Sequence, residues 1–237
     1  MKILALDSTA KTASVCITEN EKLLGLYMVN TENTHSETLL PMIKSVFTST
    51  GLNVADIDAF AVSVGPGSFT GVRIGVATIK GLAFGTGKTC VGVSTIEALC
   101  ENLDGFSGII CPVMNARRGQ VYTGLFDNGV RILEDCCIEA DKLIPIIETA
   151  RAGKRKKVYF VGDGYELLAD KKISGFANTP ELLLYQNAYS VAKIAYRKMQ
   201  SGISEKDTEL VINYLRKPQA EREREERLKK EAEKQLQ

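Results

Sequence analysis

The chain has 237 residues, 44% hydrophobic and 25% charged, enough apolar material for one large domain or two small lobes. Lys and Arg number 30 against 29 Asp and Glu, so the net charge of +1 gives no global basic field, and any RNA contact must be local or shared with a partner. No run approaches the ~20 apolar residues of a membrane span, Met1 to Asp7 is too short for a signal peptide, and six cysteines without a C-x-x-C pair read as reduced thiols in a cytoplasmic protein.

Apolar alternation predicts strands at 2–7, 13–18 and 23–30, joined by hairpin turns at Ser8-Thr9-Ala10-Lys11 and Asn20-Glu21. A helix over 36–50, a strand over 58–64, a helix over 70–84 and a short strand over 90–93 follow, an alternation that implies parallel strands with crossover helices. The pattern breaks at Asp104-Gly105-Phe106-Ser107-Gly108. A second series then begins: strands at 109–114, 119–126 and 130–137, a helix at 139–149, a strand at 157–161 and a helix near 187–200. The order βββαβα thus occurs twice, predicting two mixed α/β lobes, 1–104 and 105–217, followed by a charged helical tail over 218–237. In that tail Glu223/Arg227, Glu225/Lys229 and Glu226/Lys230 are acid-before-base pairs at i,i+4, which suit either a solvated helix or a docking one.

The segment from Gly65 to Gly75, GPGSFTGVRIG, lies between an apolar strand and an apolar helix, where backbone N–H groups and the helix dipole suit an anion. Its glycines read G-x-G-x-x-x-G, one residue longer than the dinucleotide fingerprint, and no acidic residue follows about twenty positions on. Gly87-Lys88-Thr89 resembles the end of a P-loop, but position 82 is Leu82 and the segment follows a helix instead of a strand. Anion binding by Gly65, Pro66, Gly67, Ser68 and Gly71, or simple tight packing there, are both open on this spacing.

Asp7-Ser8-Thr9 ends the first strand, where a carboxylate and hydroxyls can meet a phosphate or shape the turn. His35 is the only histidine, suited to a cap or packing role, and no G-x-S-x-G elbow supports a hydrolytic triad. The basic run Arg151, Lys154-Arg155-Lys156-Lys157 is a solvated loop or a local RNA contact. The helices 36–50 and 70–84 carry more apolar surface than one sheet face can cover. They are therefore expected to form a subunit interface, or else to be core helices.

Several of these pieces together resemble the family of tRNA threonylcarbamoyladenosine biosynthesis proteins called TsaB or YeaZ. They are Leu4 to Thr9, His35 to Pro41, Gly65 to Gly75, Ala116-Arg117-Arg118-Gly119-Gln120-Val121-Tyr122, Gly162-Asp163-Gly164 and Tyr214-Leu215-Arg216. The resemblance implies the two-lobed fold of the actin, hexokinase and Hsp70 (ASKHA) group. It also implies a non-catalytic subunit that pairs with the threonylcarbamoyltransferase TsaD, works with the ATPase TsaE, meets tRNA through that complex and self-associates as a homodimer when alone. The complex would transfer threonylcarbamoyl from its adenylate to N6 of the adenosine 3′ of the anticodon in tRNAs reading codons that begin with A. TsaD-like chains hold a metal partly through an H-x-x-x-H pair, whereas here His35 is followed four residues later by Leu39.

On this reading no residue is catalytic, no metal is bound and no cofactor is required, with room for weak ATP or ADP binding at a vestigial nucleotide site of Asp7, Ser8, Thr9, Gly162, Asp163 and Gly164. The partner interface is assigned to Leu39, Ile43, Phe47, Phe69, Val72, Arg73, Val76, Ile79 and Lys80, the glycine turn serving to launch its second helix. A charge at Val76 or Ile79 is then expected to abolish docking and leave the chain folded. Asn115 stands where many relatives carry Asp, which removes an acidic site there. The alternative is an autonomous nucleotide-dependent phosphotransferase or a glycoprotease-like hydrolase.

Overall fold

Strict alternation of inward-facing side chains gives the first sheet two apolar faces. Leu4, Leu6, Val15, Ile17, Phe60 and Val62 face one side, and Ile3, Ala5, Cys16, Ala61 and Val91 face the other. The computed structural model describes residues 1–31, 33–151, 156–168, 171 and 173–216. Its first sheet has the order β3-β2-β1-β4-β5, from β1 (Lys2–Asp7), β2 (Thr12–Glu19), β3 (Lys22–Asn30), β4 (Ala59–Ser63) and β5 (Cys90–Val93). The β1–β2 and β2–β3 pairs are antiparallel, while β1–β4 and β4–β5 are parallel across helical crossovers.

Two crossover helices, α1 (His35–Thr50) and α2 (Phe69–Thr86), cover the first face. They insert Leu39, Met42, Ile43 and Val46 from α1, and Val72, Val76, Ile79 and Ala83 from α2. Each large side chain so buried contributes about 1.5–3 kcal/mol. Gly51 and Gly87 end these helices with φ of 69° and 67°, the left-handed cap that glycine adopts without a Cβ penalty.

The second sheet has the order β10-β9-β6-β7-β8, from β6 (Ile109–Asn115), β7 (Gln120–Asp127), β8 (Val130–Glu139), β9 (Val158–Val161) and the two-residue β10 (Phe176–Ala177). One helix, α4 (Ala140–Arg151), packs Leu143 and Ile147 against Cys111, Val113, Val121, Leu125 and Phe160. The other face, through Ile110, Met114, Phe126 and Val161, meets α3 (Thr95–Glu101) and Ala10 of the first hairpin, which joins the lobes by an apolar layer.

The sequence pattern misses α3, although Ser94 caps it by accepting hydrogen bonds from the N–H groups of Ile96 at 3.2 Å and Glu97 at 3.3 Å. The last helix, α5 (Ala188–Gln200), departs from the order expected of a second lobe. It lies on the first sheet, with Ala188, Val191, Ala192, Ile194 and Ala195 against Ile3, Ala5, Ala61 and Val91. The second sheet's free face is already filled by α3, and the small alanines of α5 permit close approach to the first. The charged tail over 218–237 lies outside the described residues.

Candidate functional site: the interlobe cleft and the outer helix face

Asp7 sits at the end of the central strand β1, fully buried. Its carboxylate accepts hydrogen bonds from the Thr9 N–H at 2.8 Å, from the Thr9 hydroxyl at 2.7 Å and from the Ser63 hydroxyl. Burial pushes its pKa up, and the Ser63 and Thr9 hydrogen bonds oppose that rise. The carboxylate is therefore committed to its own lobe.

The glycine turn closes over this hairpin. Ser68 donates its N–H to the Thr9 carbonyl at 2.6 Å, and its side chain accepts from the Gly71 N–H at 3.3 Å as the cap of α2. The Ser8 hydroxyl donates to the Gly71 carbonyl at 2.9 Å. A Cβ on Gly67 or Gly71 would collide with the carbonyl oxygen of Thr9 or Ser8, and one on Gly75 with the Ser8 hydroxyl. Glycine is needed at Gly67 and Gly71 because backbone meets backbone, and at Gly75 because side chains fill the space. His35 anchors the same hairpin, its Nε2 lying 2.6 Å from the Ala10 carbonyl.

A segment near the C-terminal end of the described chain straps the two lobes together. The Asn213 N–H bonds the Val64 carbonyl at 2.8 Å. The Tyr214 ring stacks on Phe69 at 4.7 Å, and its hydroxyl accepts from Arg73 Nε at 2.8 Å while the Arg73 guanidinium lies 3.9 Å over Phe69. Beyond them Arg216 donates to the Ala116 carbonyl of the second lobe at 2.6 Å. Between this strap, Pro66, Gly67 and Tyr122 there is a void of about 20 Å³, room for a single water molecule.

In the second lobe Asp163 is half-buried under the β6–β7 hairpin and accepts from the Asn115 N–H at 3.4 Å. Burial raises its pKa above the ordinary carboxylate value. Gly162 and Gly164 press on the backbone of Val113 and Met114. The two triplets assigned to a nucleotide site, Asp7-Ser8-Thr9 and Gly162-Asp163-Gly164, thus share no open pocket, because the first is wholly enclosed. Among the described residues no three His, Cys, Asp or Glu side chains are grouped to hold a metal.

The outward arcs of α1 and α2 have different chemistry. On α2, Arg73, Ala77, Gly81, Phe84 and Gly85 are exposed and Ile74 is half-buried, and on α1 Leu40 and Lys44 are exposed beside half-buried Phe47. Phe84 is 79% exposed and Leu40 61%. Ala77, Gly81 and Gly85, spaced by four, form a small-residue ridge along which another helix can approach.

Comparison with known proteins fits this architecture. A family model described as TsaD, tRNA N6-adenosine threonylcarbamoyltransferase, matches residues 18–228. The tRNA threonylcarbamoyladenosine biosynthesis protein TsaB of Bacillus subtilis (strain 168) is 32% identical over 68% of this chain and 71% of its own length. The protein of the same name from Escherichia coli (strain K12) is 33% identical over 55% of this chain and 58% of its own. The chain belongs to the TsaB (YeaZ) family. Among solved structures, YeaZ from Pseudomonas aeruginosa superposes with a TM-score of 0.75 at 22% identity, covering 90% of this chain and 99% of that one. The activator of 2-hydroxyisocaproyl-CoA dehydratase from Clostridium difficile, solved with bound ADPNP, does so at 0.51 and 12% identity, covering 86% of this chain and 98% of that one. The two-lobed ASKHA architecture that the resemblance implies is the fold of this TsaB-family chain.

Within this family member, five residues assigned to the interface are core residues. Leu39, Ile43, Val72, Val76 and Ile79 are at most 6% exposed and point at the first sheet. Apolar residues at helical spacing mark the side that packs, and here that side is already occupied. A charge at Val76 or Ile79 would be buried in the core and cost the fold itself. Phe47, Phe69, Arg73 and Lys80 keep some surface, while Leu40, Ile74, Ala77, Gly81 and Phe84 lie outside that assignment. The signal for them is the i,i+4 ridge of small residues. Leu39, where an H-x-x-x-H pair would carry its second histidine, is enclosed in the core.

Other sequence candidates are absorbed by structure. Arg151 pairs with Glu148, and its Nε donates to the Lys156 carbonyl at 3.0 Å; Lys156 pairs with Asp127; Lys154 and Arg155 lie outside the described residues. Burial holds the Cys100 and Cys111 thiols up at about 12, so they are unreactive. A groove of about 600 Å³ is lined by Glu97, Glu101, Asp104, Phe106, Arg131 and Arg197, but its charges are largely satisfied by one another. Glu101 pairs with Arg197 and Lys193, and Arg131 pairs with Asp135. No helix among the described residues is long and apolar enough to cross a membrane.

Proposed function

We propose that this chain is the accessory, non-catalytic subunit of the machinery that forms threonylcarbamoyladenosine in tRNA. It docks a TsaD-type threonylcarbamoyltransferase through the outer face of α1 and α2. In that assembly the partner carries the chemistry, transferring threonylcarbamoyl from its adenylate to N6 of the adenosine 3′ of the anticodon in tRNAs that read ANN codons, with a TsaE-type ATPase as third component. The same face serves self-association when the partner is missing, and the assembly works in the cytoplasm without a cofactor on this chain.

The observation that carries the reading is a contrast of surfaces. The place where this fold could hold a phosphate is filled, with Asp7 enclosed and the glycine turn pressed onto Ser8 and Thr9. The outer helix face instead offers Phe84, Leu40 and a ridge of Ala77, Gly81 and Gly85 to another molecule.

The test is co-purification with a TsaD-type partner, followed by a transfer assay with each subunit omitted in turn. Phe84→Asp, at an exposed position, is expected to leave the thermal melt unchanged and to weaken heterodimer formation at least tenfold. Transfer is expected to fall in parallel. Turnover by this chain alone would instead establish the autonomous-enzyme reading.

A further inference from the structure

The β6–β7 hairpin carries a feature that docking through α1 and α2 does not use. Arg117 and Arg118 both adopt positive φ, 67° and 55°, and Gly119 follows at 70°. For a residue with a Cβ this conformation costs about 1–2 kcal/mol, and Gly, Asn or Asp are its usual occupants. Here two exposed arginines stand in those positions. The turn is held by its frame. The Asn115 side chain accepts from the Arg117 N–H at 2.8 Å, the Ala116 N–H donates to the Gln120 carbonyl at 3.0 Å, the Gln120 N–H to the Arg117 carbonyl at 3.1 Å, and the Ala140 N–H to the Gly119 carbonyl at 2.9 Å.

Two further guanidinium groups stand at the same mouth. Arg216 is bonded to the Ala116 carbonyl at the base of this loop, and Arg73 is tied to Tyr214, two residues earlier in the strap. The acidic groups near the hairpin include Asp163, half-buried beneath it and within electrostatic reach of Arg117, Glu166 beside Asp163, and Glu139, which stands across from Gln120 and pairs with Lys142. In a chain of net charge +1 this is a local concentration of arginine. The planar guanidinium is always charged and matches phosphate oxygens in pairs.

We infer that Arg117 and Arg118, backed by Arg73 and Arg216, form a contact surface for the phosphate backbone of an RNA. Backbone contacts of this kind set position and carry no sequence information. The inference rests on the reading that the chain works on tRNA in a heterodimer, and it adds that this lobe touches the RNA directly.

The test is binding of a tRNA transcript to the heterodimer at several salt concentrations. The chains compared are wild type, Arg117→Asn/Arg118→Asn and Arg117→Glu/Arg118→Glu. Asparagine suits positive φ, so the double Asn chain is expected to melt at or above the wild-type temperature. Its RNA affinity is expected to fall roughly tenfold, with the log–log salt slope flatter by about two, one for each phosphate that is no longer neutralised. A structural role alone would leave affinity and slope unchanged, and that result overturns the inference. Loss of heterodimer assembly with RNA affinity intact would assign the surface to an acidic segment of the partner and also overturn it. If the wild-type heterodimer does not form, the docking reading fails by itself. The same variants measured on the isolated chain at low salt then decide the RNA contact by the same two results.

Discussion

At the end of β1 the hairpin residues Ser8 to Ala10 are packed beneath the glycine turn, whereas the corresponding hairpin after β6, from Arg117 to Gly119, stands in solvent. Both follow the first strand of a βββαβ unit, and in both lobes glycines after the fourth strand press on that first strand's end. The difference lies in what comes next. After β4 the chain enters the 18-residue helix α2, whose first turn lies across the hairpin. After β9 it forms only the six-residue 3-10 turn Asp163–Leu168. The length of the element after the fourth strand decides whether the hairpin becomes a platform for a helix or an exposed tip.

The largest effect that would probe this contrast comes from adding one methyl group to each hairpin region. Gly71→Ala drives a Cβ into the Ser8 carbonyl, a backbone atom with nowhere to go, and is expected to cost about 3 kcal/mol in urea unfolding. Gly119→Ala meets no atom within 4 Å and bears only the strain of its φ of 70°, about 1 kcal/mol. Equal losses at the two sites would break the sealed-versus-open distinction.

A smaller effect distinguishes the enclosed carboxylate. The folded pKa of Asp7 is raised, so between its ordinary value of 3.8 and the raised value the folded chain holds a proton that the unfolded chain has released. Its contribution to stability is therefore fullest below 3.8 and is lost as pH rises through the folded pKa. Relative to Asp7→Asn, the wild type should gain stability as pH falls from 7 to 4, read from urea unfolding at the two pH values. A flat difference would show the carboxylate to be effectively solvated, and one that shrinks on acidification would show that its hydrogen bonds outweigh burial. The smallest expected change sets an exposed glycine against the buried ones. Gly81→Ala has open space around it and should stabilise the isolated chain by up to about 1 kcal/mol, while weakening association with the partner. A gain in both would remove the reason for a glycine on that ridge.

Much of this molecule is legible in sequence because alternation and helical spacing report which residues are buried. The strands β1 to β9 and the helices α1, α2, α4 and α5 fall within two residues of their expected bounds, the two-residue β10 being too short for alternation to mark, and Asn20, a turn residue by sequence, takes φ of 56°. The short helix α3 escapes the pattern although Ser94-x-x-Glu97 is a capping signal, since seven residues give too few turns for periodicity to stand out. Val72, Val76 and Ile79 are misassigned to an outer face for the same reason that the core is well read: spacing identifies them as one face and is silent on which face the sheet will take. The strap is invisible as well. Tyr214 and Arg216 reach Phe69 and Ala116, far away in sequence, and no local pattern encodes such a contact.

The crossing of α5 back to the first sheet bears on how the chain is made. Ile3, Ala5 and Val91 emerge early in synthesis, but the helix that roofs them ends at Gln200. The second sheet with α4 can assemble from a continuous stretch while the first still presents an uncovered apolar plane. The lobe that begins the polypeptide is thus the last to be completed, and a division of the chain after residue 104 would separate it from its own lid.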